Sequence, residues 1–217
     1  MEKMHNILVT AGPTRERLDG VRFISNFSTG KMGYEIAQAA LDEGYSVTLI
    51  SGPTEIAPPK GARLVRVESA LEMEKAVRIN FKKSDCLFMA SAVCDWRPKR
   101  PAAGKIKKRS KKNLSLKLVQ NPDIVAGIAK EKEKRLVAGF ALEAVSLIPN
   151  AKRKLKDKDL DFIVANRLGK KSPFGPVRTD ATIIDRYGRS DEVRNAAKGL
   201  IARRALKKAE ELWAEER

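Results

Sequence analysis

Short apolar segments alternate with amphipathic helical patterns through the N-terminal part of the chain, and this alternation restricts the fold more than any other feature. Each apolar segment is about five residues long and is bounded by small, polar or turn-forming residues, which is typical of buried strands. Each helical pattern places its apolar residues on one face. The predicted strands are 6–10, 46–50, 63–67 and 86–90, and the predicted helices are 34–43 and 70–81.

The second half of the chain is less regular. A helix is predicted to start at Asn121-Pro122-Asp123, with Pro122 in its first turn. Because neither an internal repeat nor a linker is evident, we predict one domain spanning residues 1–217. The other predicted elements are strands 114–119, 136–140 and 161–165, a basic helix 146–158, a hairpin of 181–185 and 192–193 around the turn 186–189, and a terminal helix 195–215.

This order of elements predicts an α/β fold, a doubly wound, Rossmann-like and mostly parallel sheet with helices on both faces. The second half is predicted to add a small antiparallel hairpin. Sheets of this kind bind ligands beyond the carboxyl ends of their strands. The loops after Thr10, Ile50, Ala90 and Phe140 are therefore the expected place for a functional site.

The positive charge of the chain raises the possibility of a polyanionic partner. The formal net charge is +17, but aromatic residues make up only 6% and do not alternate with basic residues as in an RNA-binding surface. A basic protein that binds nucleic acid through KIKKRSKK and the terminal helix remains the alternative from another functional class. A concentrated positive field equally attracts nucleotides and acidic metabolites.

The sequence also predicts a cellular compartment. No apolar segment approaches the length of a membrane span, and MEKMHNILVT lacks the features of a signal peptide. Cys86 and Cys94 form no disulfide framework and no metal-binding spacing, which favours a reducing cytoplasm. A Cys94–histidine catalytic pair is disfavoured because the sole histidine, His5, starts a predicted strand.

The segment ISNFSTGKMG, residues 24–33, resembles a phosphate-binding loop but breaks its pattern. Ser25 stands where a P-loop requires glycine, and Met32 replaces the hydroxyl residue that would meet magnesium. Ser28-Thr29-Gly30 would still offer free backbone N–H groups to an anion at a helix start. The alternative is an ordinary N-cap by Ser28 or Thr29. The amide of Asn26 could orient a carboxyl or acyl oxygen.

Two later segments offer further candidates. In SAVCDWRP, after the strand 86–90, Asp95 could hold a metal ion on a polyphosphate; the alternatives are a helix cap or an ion pair with Arg97. For Trp96, packing within the protein is favoured over stacking on a nucleotide base. In GKIKK, a lysine on a basic flap could stabilise charge on transferring phosphates, although such lysine clusters are often only solvated. We expect residues 101–112 to be mobile without nucleotide.

Six segments of the chain, taken in order, resemble the phosphopantothenate–cysteine ligase family, which is the ligase half of the bacterial bifunctional coenzyme A biosynthesis protein. The segments are TAGPTRERLDGVRFISNFSTGKMG, SAVCDWRP, GKIKK, NPDIVAGIA, GFALE and DFIVAN. The resemblance implies a reaction between the carboxyl of 4′-phosphopantothenate and the amine of L-cysteine. A nucleoside triphosphate, with Mg²⁺ or Mn²⁺, first activates the carboxylate as an acyl-nucleotide. GKIKK matches the bacterial pattern and therefore favours CTP.

The resemblance also assigns roles to positions of this chain. It implies that Asn26 and Lys105 are catalytic, that Asn26 and Arg22 bind the phosphopantothenate substrate, and that Asp95 is linked with the divalent cation. The nucleotide-binding positions that it implies are Gly12, Ser28, Thr29, Gly30, Ala92, Asp95, Trp96, Lys105, Pro122, Asp123, Ile124, Phe140, Lys154 and Lys158.

The chain departs from the family pattern in two respects. Ser91 and Cys94 stand where the family commonly has alanine, a change of one small residue for another. The decarboxylase half is absent, so the resemblance implies a separate or fused decarboxylase as a partner, besides a homodimer. A doubly wound oxidoreductase is the rival enzyme class, but the glycine fingerprint and the acidic residue after the second strand are both missing.

Overall fold

The computed structural model describes residues 3–108, 113–143, 145–167 and 178–217. Its helices are α1 (Lys31–Asp42), α2 (Ala70–Phe81), α3 (Ile124–Ala129), α4 (Leu147–Asp157) and α5 (Lys198–Glu215). Its strands are β1 (Asn6–Ala11), β2 (Arg15–Arg17), β3 (Phe23–Ser25), β4 (Ser46–Ser51), β5 (Arg63–Arg66), β6 (Cys86–Met89), β7 (Trp96–Pro98), β8 (Leu118–Gln120), β9 (Leu136–Glu143), β10 (Phe162–Arg167), β11 (Thr179–Asp185) and β12 (Ser190–Ala196).

Eight of these strands form one sheet in the order β12-β11-β10-β9-β6-β1-β4-β5. The pairs from β10 to β5 are parallel, and β11 and β12 are antiparallel additions. Two apolar cores lie on the two faces of the sheet, which explains why β6 is buried throughout. The predicted doubly wound, mostly parallel α/β fold with a hairpin in the second half is confirmed.

The chain reverses direction across the sheet at β1. It runs outward from β1 through β4 to β5, and then returns to place β6 on the other side of β1. At such a switch point the loops after the two central strands diverge and leave a crevice at the carboxyl edge. The fold therefore places the loops after β1 and β6 at the mouth of one crevice.

In the first half, the prediction missed a small hairpin and misplaced one helix start. The hairpin pairs β2 with β3 between β1 and α1. Helix α1 begins at Lys31 rather than at residue 34, because Gly30 can take the left-handed conformation that starts it. Helix α2 has the predicted bounds, and Ser69 caps it by accepting from the backbone N–H of Glu72.

In the second half, several predicted boundaries differ from the structure, and three of the differences have a local cause. Strand β8 covers only Leu118–Gln120 because its partner β7 ends at Pro98. Pro122 precedes the cap of α3 rather than lying in its first turn, since Asp123 is the N-cap and accepts from the N–H of Ala126. Helix α5 begins at Lys198, because Asn195 and Ala196 still belong to β12. Among the described residues, no helix has the length and apolar character needed to cross a membrane.

Candidate active site

The loops after β1 and β6 are joined by backbone hydrogen bonds at the switch point. The N–H of Thr14 donates to the carbonyl of Ala92 at 3.1 Å, and the N–H of Ala92 donates to the carbonyl of Gly12 at 2.9 Å. These bonds continue the parallel pairing past the end of the sheet. Gly12 and Ala92, both implied nucleotide contacts, therefore lie together at the base of the crevice.

Helix α1 starts against the turn after β1. Gly12 and Gly30 both have positive φ, at 75° and 80°. A Cβ on Gly30 would lie 3.1 Å from the Cα and N atoms of Gly12, so a side chain would force the two segments apart. Glycine at both positions brings the N-terminus of α1 up to the crevice.

The helix start lacks the side-chain cap that the sequence offered as an alternative. Gly30 is the N-cap and has no side chain to accept a hydrogen bond. Ser28 Oγ accepts from the N–H of Gly30 at 3.2 Å, and Thr29 Oγ1 accepts from the N–H of Lys31 at 3.4 Å. The N-cap interpretation of Ser28 or Thr29 is wrong, and the first turn of α1 keeps N–H groups suited to an anion.

Asn26 lies at the same crevice. Its Nδ2 donates to the carbonyl of Ala92 at 3.0 Å, although the two residues are far apart in sequence. Ser25 Oγ donates to the carbonyl of Thr14 at 2.8 Å and fixes the preceding residue. The exposed amide of Asn26 is therefore oriented by the backbone and is available to a ligand on its other side.

Asp95 is exposed at the end of the loop after β6. It caps no helix, because strand β7 follows it, and Arg97 does not pair with it. Arg97 donates instead to the carbonyl of Gln120 at 2.7 Å and to Oδ1 of Asn121 at 2.9 Å. Both structural alternatives for Asp95 are therefore wrong, and its carboxylate is left to face solvent.

Asn121 supports the loop that carries Asp95. This buried amide donates from Nδ2 to the carbonyl of Cys94 at 2.8 Å, and its backbone N–H donates to the carbonyl of Asp95 at 2.7 Å. Trp96, at the start of β7, is 52% exposed and is not a core residue. Sequence reasoning missed Asn121 as a support, although the polar pair Gln120-Asn121 before a proline was visible.

A cavity of about 220 Å³ adjoins this loop and extends to β9 and α4. Lys158 Nζ pairs with Oδ2 of Asp123 at 2.7 Å across one wall. Burial, and then repulsion from Lys158, lower the pKa of Lys154 below its usual value. The structure brings seven of the implied nucleotide contacts into the lining of this cavity: Asp95, Pro122, Asp123, Ile124, Phe140, Lys154 and Lys158.

Lys105 lies in an exposed segment without secondary structure. Arg22 contacts the same segment, because its Nη2 donates to the carbonyl of Ile106 at 3.0 Å while the guanidinium pairs with Asp19. Asp19 was missed by sequence reasoning, and the Asp-Gly turn at residues 19–20 was the only signal for it. The mobility expected of residues 101–112 stays a prediction, and residues 109–112 lie outside the described part.

The donor set near the crevice limits how a cation could bind. In the described ranges, no group of three or more His, Cys, Asp or Glu side chains could hold a metal ion. Asp95 offers one exposed carboxylate, which fits a magnesium ion held mainly by phosphate oxygens and water. Cys94 is buried beside Thr14, and burial raises the pKa of its thiol, so it is poorly suited to act as a nucleophile.

Comparison with known proteins identifies similar sequences. The family model described as DNA/pantothenate metabolism flavoprotein C-terminal domain matches residues 3–212. The coenzyme A biosynthesis bifunctional protein CoaBC of Borreliella burgdorferi is 40% identical over 207 residues, 94% of this chain and 52% of that protein. CoaBC of Escherichia coli K12 is 47% identical over 164 residues, 74% of this chain and 40% of that protein. The chain thus spans about half, or less, of these relatives.

Solved structures share the fold. A crystal structure of the C-terminal domain of CoaBC has a TM-score of 0.84 and 36% identity, with 97% of this chain and 96% of that chain covered. A complex of a Cab2 mutant with phosphopantothenate-cysteine has a TM-score of 0.80, covering 98% of this chain and 88% of that chain. At 17% identity, the second likeness is evidence for the fold alone.

Proposed function

This chain belongs to the family described as the DNA/pantothenate metabolism flavoprotein C-terminal domain, and we propose that it is a CTP-dependent phosphopantothenate–cysteine ligase. The proposed products are 4′-phosphopantothenoyl-L-cysteine, CMP and pyrophosphate. One observation carries the proposal. The Asn26 amide is fixed to Ala92 at the switch point, between the helix start at Gly30 and the cavity lined by Lys154.

In the proposed first step, the phosphopantothenate carboxylate attacks the α-phosphorus of CTP and pyrophosphate leaves. Both reactants are anionic, so their repulsion must be screened before they meet. The first turn of α1 supplies N–H groups near Gly30, and Lys105 supplies an exposed positive charge for the phosphates. Asp95 would hold Mg²⁺ or Mn²⁺, which neutralises phosphate charge when bound.

In the proposed second step, the amine of L-cysteine attacks the acyl carbon and CMP leaves. Asn26 is neutral at all accessible pH values, so it can hold the acyl group by hydrogen bonding without taking the proton of the amine. Its link to the Ala92 carbonyl fixes the amide before substrate binds. Arg22 is proposed to bind the phosphopantothenate substrate near the same hairpin, although its guanidinium already contacts Asp19 and Ile106.

The cavity beside Asp95 is the proposed site of the cytosine ring and its ribose. Phe140 and Ile124 offer apolar surface, and Lys154 offers a partly buried donor. The preference for CTP over ATP is proposed from the GKIKK segment alone.

The assembly is also a proposal. Exposed apolar side chains beside the crevice, Phe23, Phe27 and Trp96, support the expected homodimer. A decarboxylase, separate or fused, and a cytoplasmic location stay predictions. The mass in solution, measured by analytical ultracentrifugation, checks the dimer, and a monomer at micromolar concentration would contradict it.

Pyrophosphate release tests the activity. The protein is incubated with CTP, 4′-phosphopantothenate and Mg²⁺, with and without L-cysteine, and then with ATP in place of CTP. We expect release that requires phosphopantothenate, sustained turnover only with cysteine, and faster turnover with CTP. Absence of release with both nucleotides, from folded protein, would contradict the ligase. Salt-dependent binding to DNA or RNA would then support the alternative function.

The variant Asn26→Ala separates the two steps. We expect it to release pyrophosphate once per site and to accumulate the acyl-cytidylate, because the amide acts on the acyl group after activation. Quenched-flow sampling with mass spectrometry measures the intermediate. Asn80→Ala, at the opposite edge of the sheet, is the matched control. Equal loss of both steps in Asn26→Ala would refute the assignment.

A further inference from the structure

Ile106, the residue after Lys105, is held at both of its backbone polar groups. Its N–H donates to Oδ2 of Asp19 at 3.0 Å, and its carbonyl accepts from Nη2 of Arg22 at 3.0 Å. Both partners come from the turn of the β2–β3 hairpin, more than eighty residues earlier in the chain. The backbone beside Lys105 is therefore fixed, while the lysine side chain itself stays exposed.

Asp19 is built to hold this contact. Its side chain is fully buried, and Oδ1 accepts from the backbone N–H groups of Val21 and Arg22, each at 2.8 Å. Oδ2 accepts from Ile106 and from the guanidinium of Arg22. The Arg22 guanidinium, and then the Ile106 N–H, hold the pKa of this carboxyl well below its usual range. The carboxylate is therefore ionised at neutral pH.

A second contact ties the same segment to the same turn. The N–H of Ala102 donates to the carbonyl of Leu18 at 3.0 Å. Together with the Ile106 contacts, this bond holds the backbone on both sides of Lys105 against the hairpin. The exposed lysine thus projects from an anchored stretch rather than from a free loop.

The hairpin turn is also connected to the crevice. Strand β3 leads from Arg22 to Ser25, and Asn26 follows it directly. Asn26 in turn is bound to Ala92 at the base of the crevice. One short piece of chain therefore sets the positions of both the Lys105 segment and the Asn26 amide.

We propose that Asp19 is a positioning residue, whose carboxylate holds the Ile106 backbone so that Lys105 is presented to the crevice. The proposal rests on the proposed ligase function for its catalytic consequence. The contact between Asp19 and Ile106 does not depend on the ligase function, because it can be measured in the free protein. Asp19 touches no substrate; it acts through Ile106 and Arg22.

Asp19→Asn is the sharpest variant, because the amide keeps the size of the side chain and loses acceptor capacity. Asp185→Asn is the matched control. Its carboxylate is equally buried and accepts from two backbone N–H groups and from Arg189, but it closes the β11–β12 hairpin at the opposite edge. Both variants lose a buried charged acceptor, and only Asp19→Asn frees the Lys105 segment.

The first readout is trypsin cleavage after Lys105 in the free protein, identified by mass spectrometry. We expect Asp19→Asn to be cleaved there about tenfold faster than wild type, because local opening controls proteolysis of folded chains. Asp185→Asn should match wild type at this bond. Equal cleavage of Asp19→Asn and wild type, or equal acceleration in both variants, would overturn the proposal.

The second readout is the rate of CTP-dependent pyrophosphate release. Misplacement of a catalytic group by about 1 Å costs on the order of 100-fold, so we expect Asp19→Asn to lose about 10- to 100-fold in kcat. KM for CTP should stay within about twofold, since the cavity around Lys154 is untouched. A rise in KM with unchanged kcat would overturn the proposal. If the wild-type protein releases no pyrophosphate, the proposed ligase function is contradicted. Trypsin cleavage after Lys105 still tests whether Asp19 holds the Lys105 segment.

Amide hydrogen exchange of the wild-type protein covers the case in which Asp19→Asn does not fold. The Ile106 N–H donates to a buried carboxylate, so it should exchange at least about tenfold more slowly than the neighbouring amides of Lys105 and Lys107. NMR-detected exchange resolves the individual residues. Equal exchange at the three positions would overturn the proposal without any variant.

Discussion

The two ends of the sheet each contain a buried aspartate–arginine turn, and the same local chemistry has different consequences at the two ends. At the carboxyl end, Asp19 pairs with Arg22 and holds a segment that belongs to the crevice. At the amino end, Asp185 pairs with Arg189, which in turn binds Glu215 of α5 at 2.6 Å. The second turn joins elements of the scaffold to one another, whereas the first joins the scaffold to a segment of the site.

The surroundings of the two turns explain the difference. Near Asp185, buried Asp161 accepts from the N–H of Val137 at 2.6 Å and pairs with Lys132 and Arg186. Charges at the amino end are thus paired with one another. At the carboxyl end, Asp95 and Lys105 are exposed, and Asp95 lines the cavity. Groups that are left unpaired by the fold are the ones available to a ligand.

The largest expected effect is on activity at the carboxyl end. Lys105→Ala should lower the rate of pyrophosphate release by about 100- to 1,000-fold, the usual cost of removing one preorganised charge donor from a transition state. The melting temperature should stay within about 1 °C of wild type, since the side chain is exposed. Lys75→Ala, an exposed lysine on α2, is the control. Comparable loss in both variants would remove the distinction between the two ends.

Next in size is a stability effect at the amino end. Asp185→Asn should lower the free energy of unfolding by about 2–3 kcal/mol, because the buried amide cannot accept from Arg189 and the two N–H groups equally well. Urea denaturation measures this change. The kcat per folded molecule should equal that of wild type at a temperature where both are folded. A kcat that falls with stability would show that the two ends are coupled.

A smaller effect is expected in the cavity. Lys154→Met should weaken CTP binding about tenfold, or ~1.4 kcal/mol, by removing a charged donor from the cavity wall. It should slightly raise the melting temperature at pH 7, since burial and Lys158 make the charged lysine unfavourable in the folded protein. Calorimetry of CTP binding and thermal unfolding check the two parts, with exposed Lys152→Met as the control. Unchanged affinity would place the nucleotide elsewhere.

The same lysine predicts a pH dependence. The pKa of Lys154 is lowered in the folded protein, so between the folded and unfolded pKa values the unfolded chain binds more protons. The destabilisation by Lys154 is therefore fully present below the folded pKa and disappears as pH rises through that window. CTP affinity should fall over the same range, and Lys154→Arg should move the fall to higher pH. An identical alkaline profile in Lys154→Arg would exclude this lysine as the cause.

The central sheet could be predicted because its signal is local. Strands such as β1 and β6 are buried on both faces, and the resulting apolar segments stand out in the sequence. The β2–β3 hairpin could not be predicted in this way. Its strands are three residues long, and distant contacts stabilise it, such as the bond from the N–H of Ala70 to Oε1 of Glu16 at 2.9 Å.

The candidate site shows the same division. The resemblance named Lys154 and Lys158, and the structure places both in one cavity with Phe140, although their roles stay predictions. The contacts that position the site residues could not be predicted from the sequence. The contact between Asp19 and Ile106 joins residues 87 positions apart, and the sequence shows only a turn and a basic segment. Side chains that act through other side chains are visible only after the chain has folded.

The topological switch between β1 and β6 has a consequence for the order in which the parts of the site are completed during synthesis. The base of the crevice comes from early residues, Gly12 and Ala92, whereas the wall of the cavity needs Phe140 and Lys158. A growing chain that ends at Gln120 contains the residues at the base of the crevice but lacks the residues of the cavity wall. Under the proposed function, nucleotide binding is acquired late in synthesis, and a ribosome-bound chain responds to CTP only after α4 has emerged.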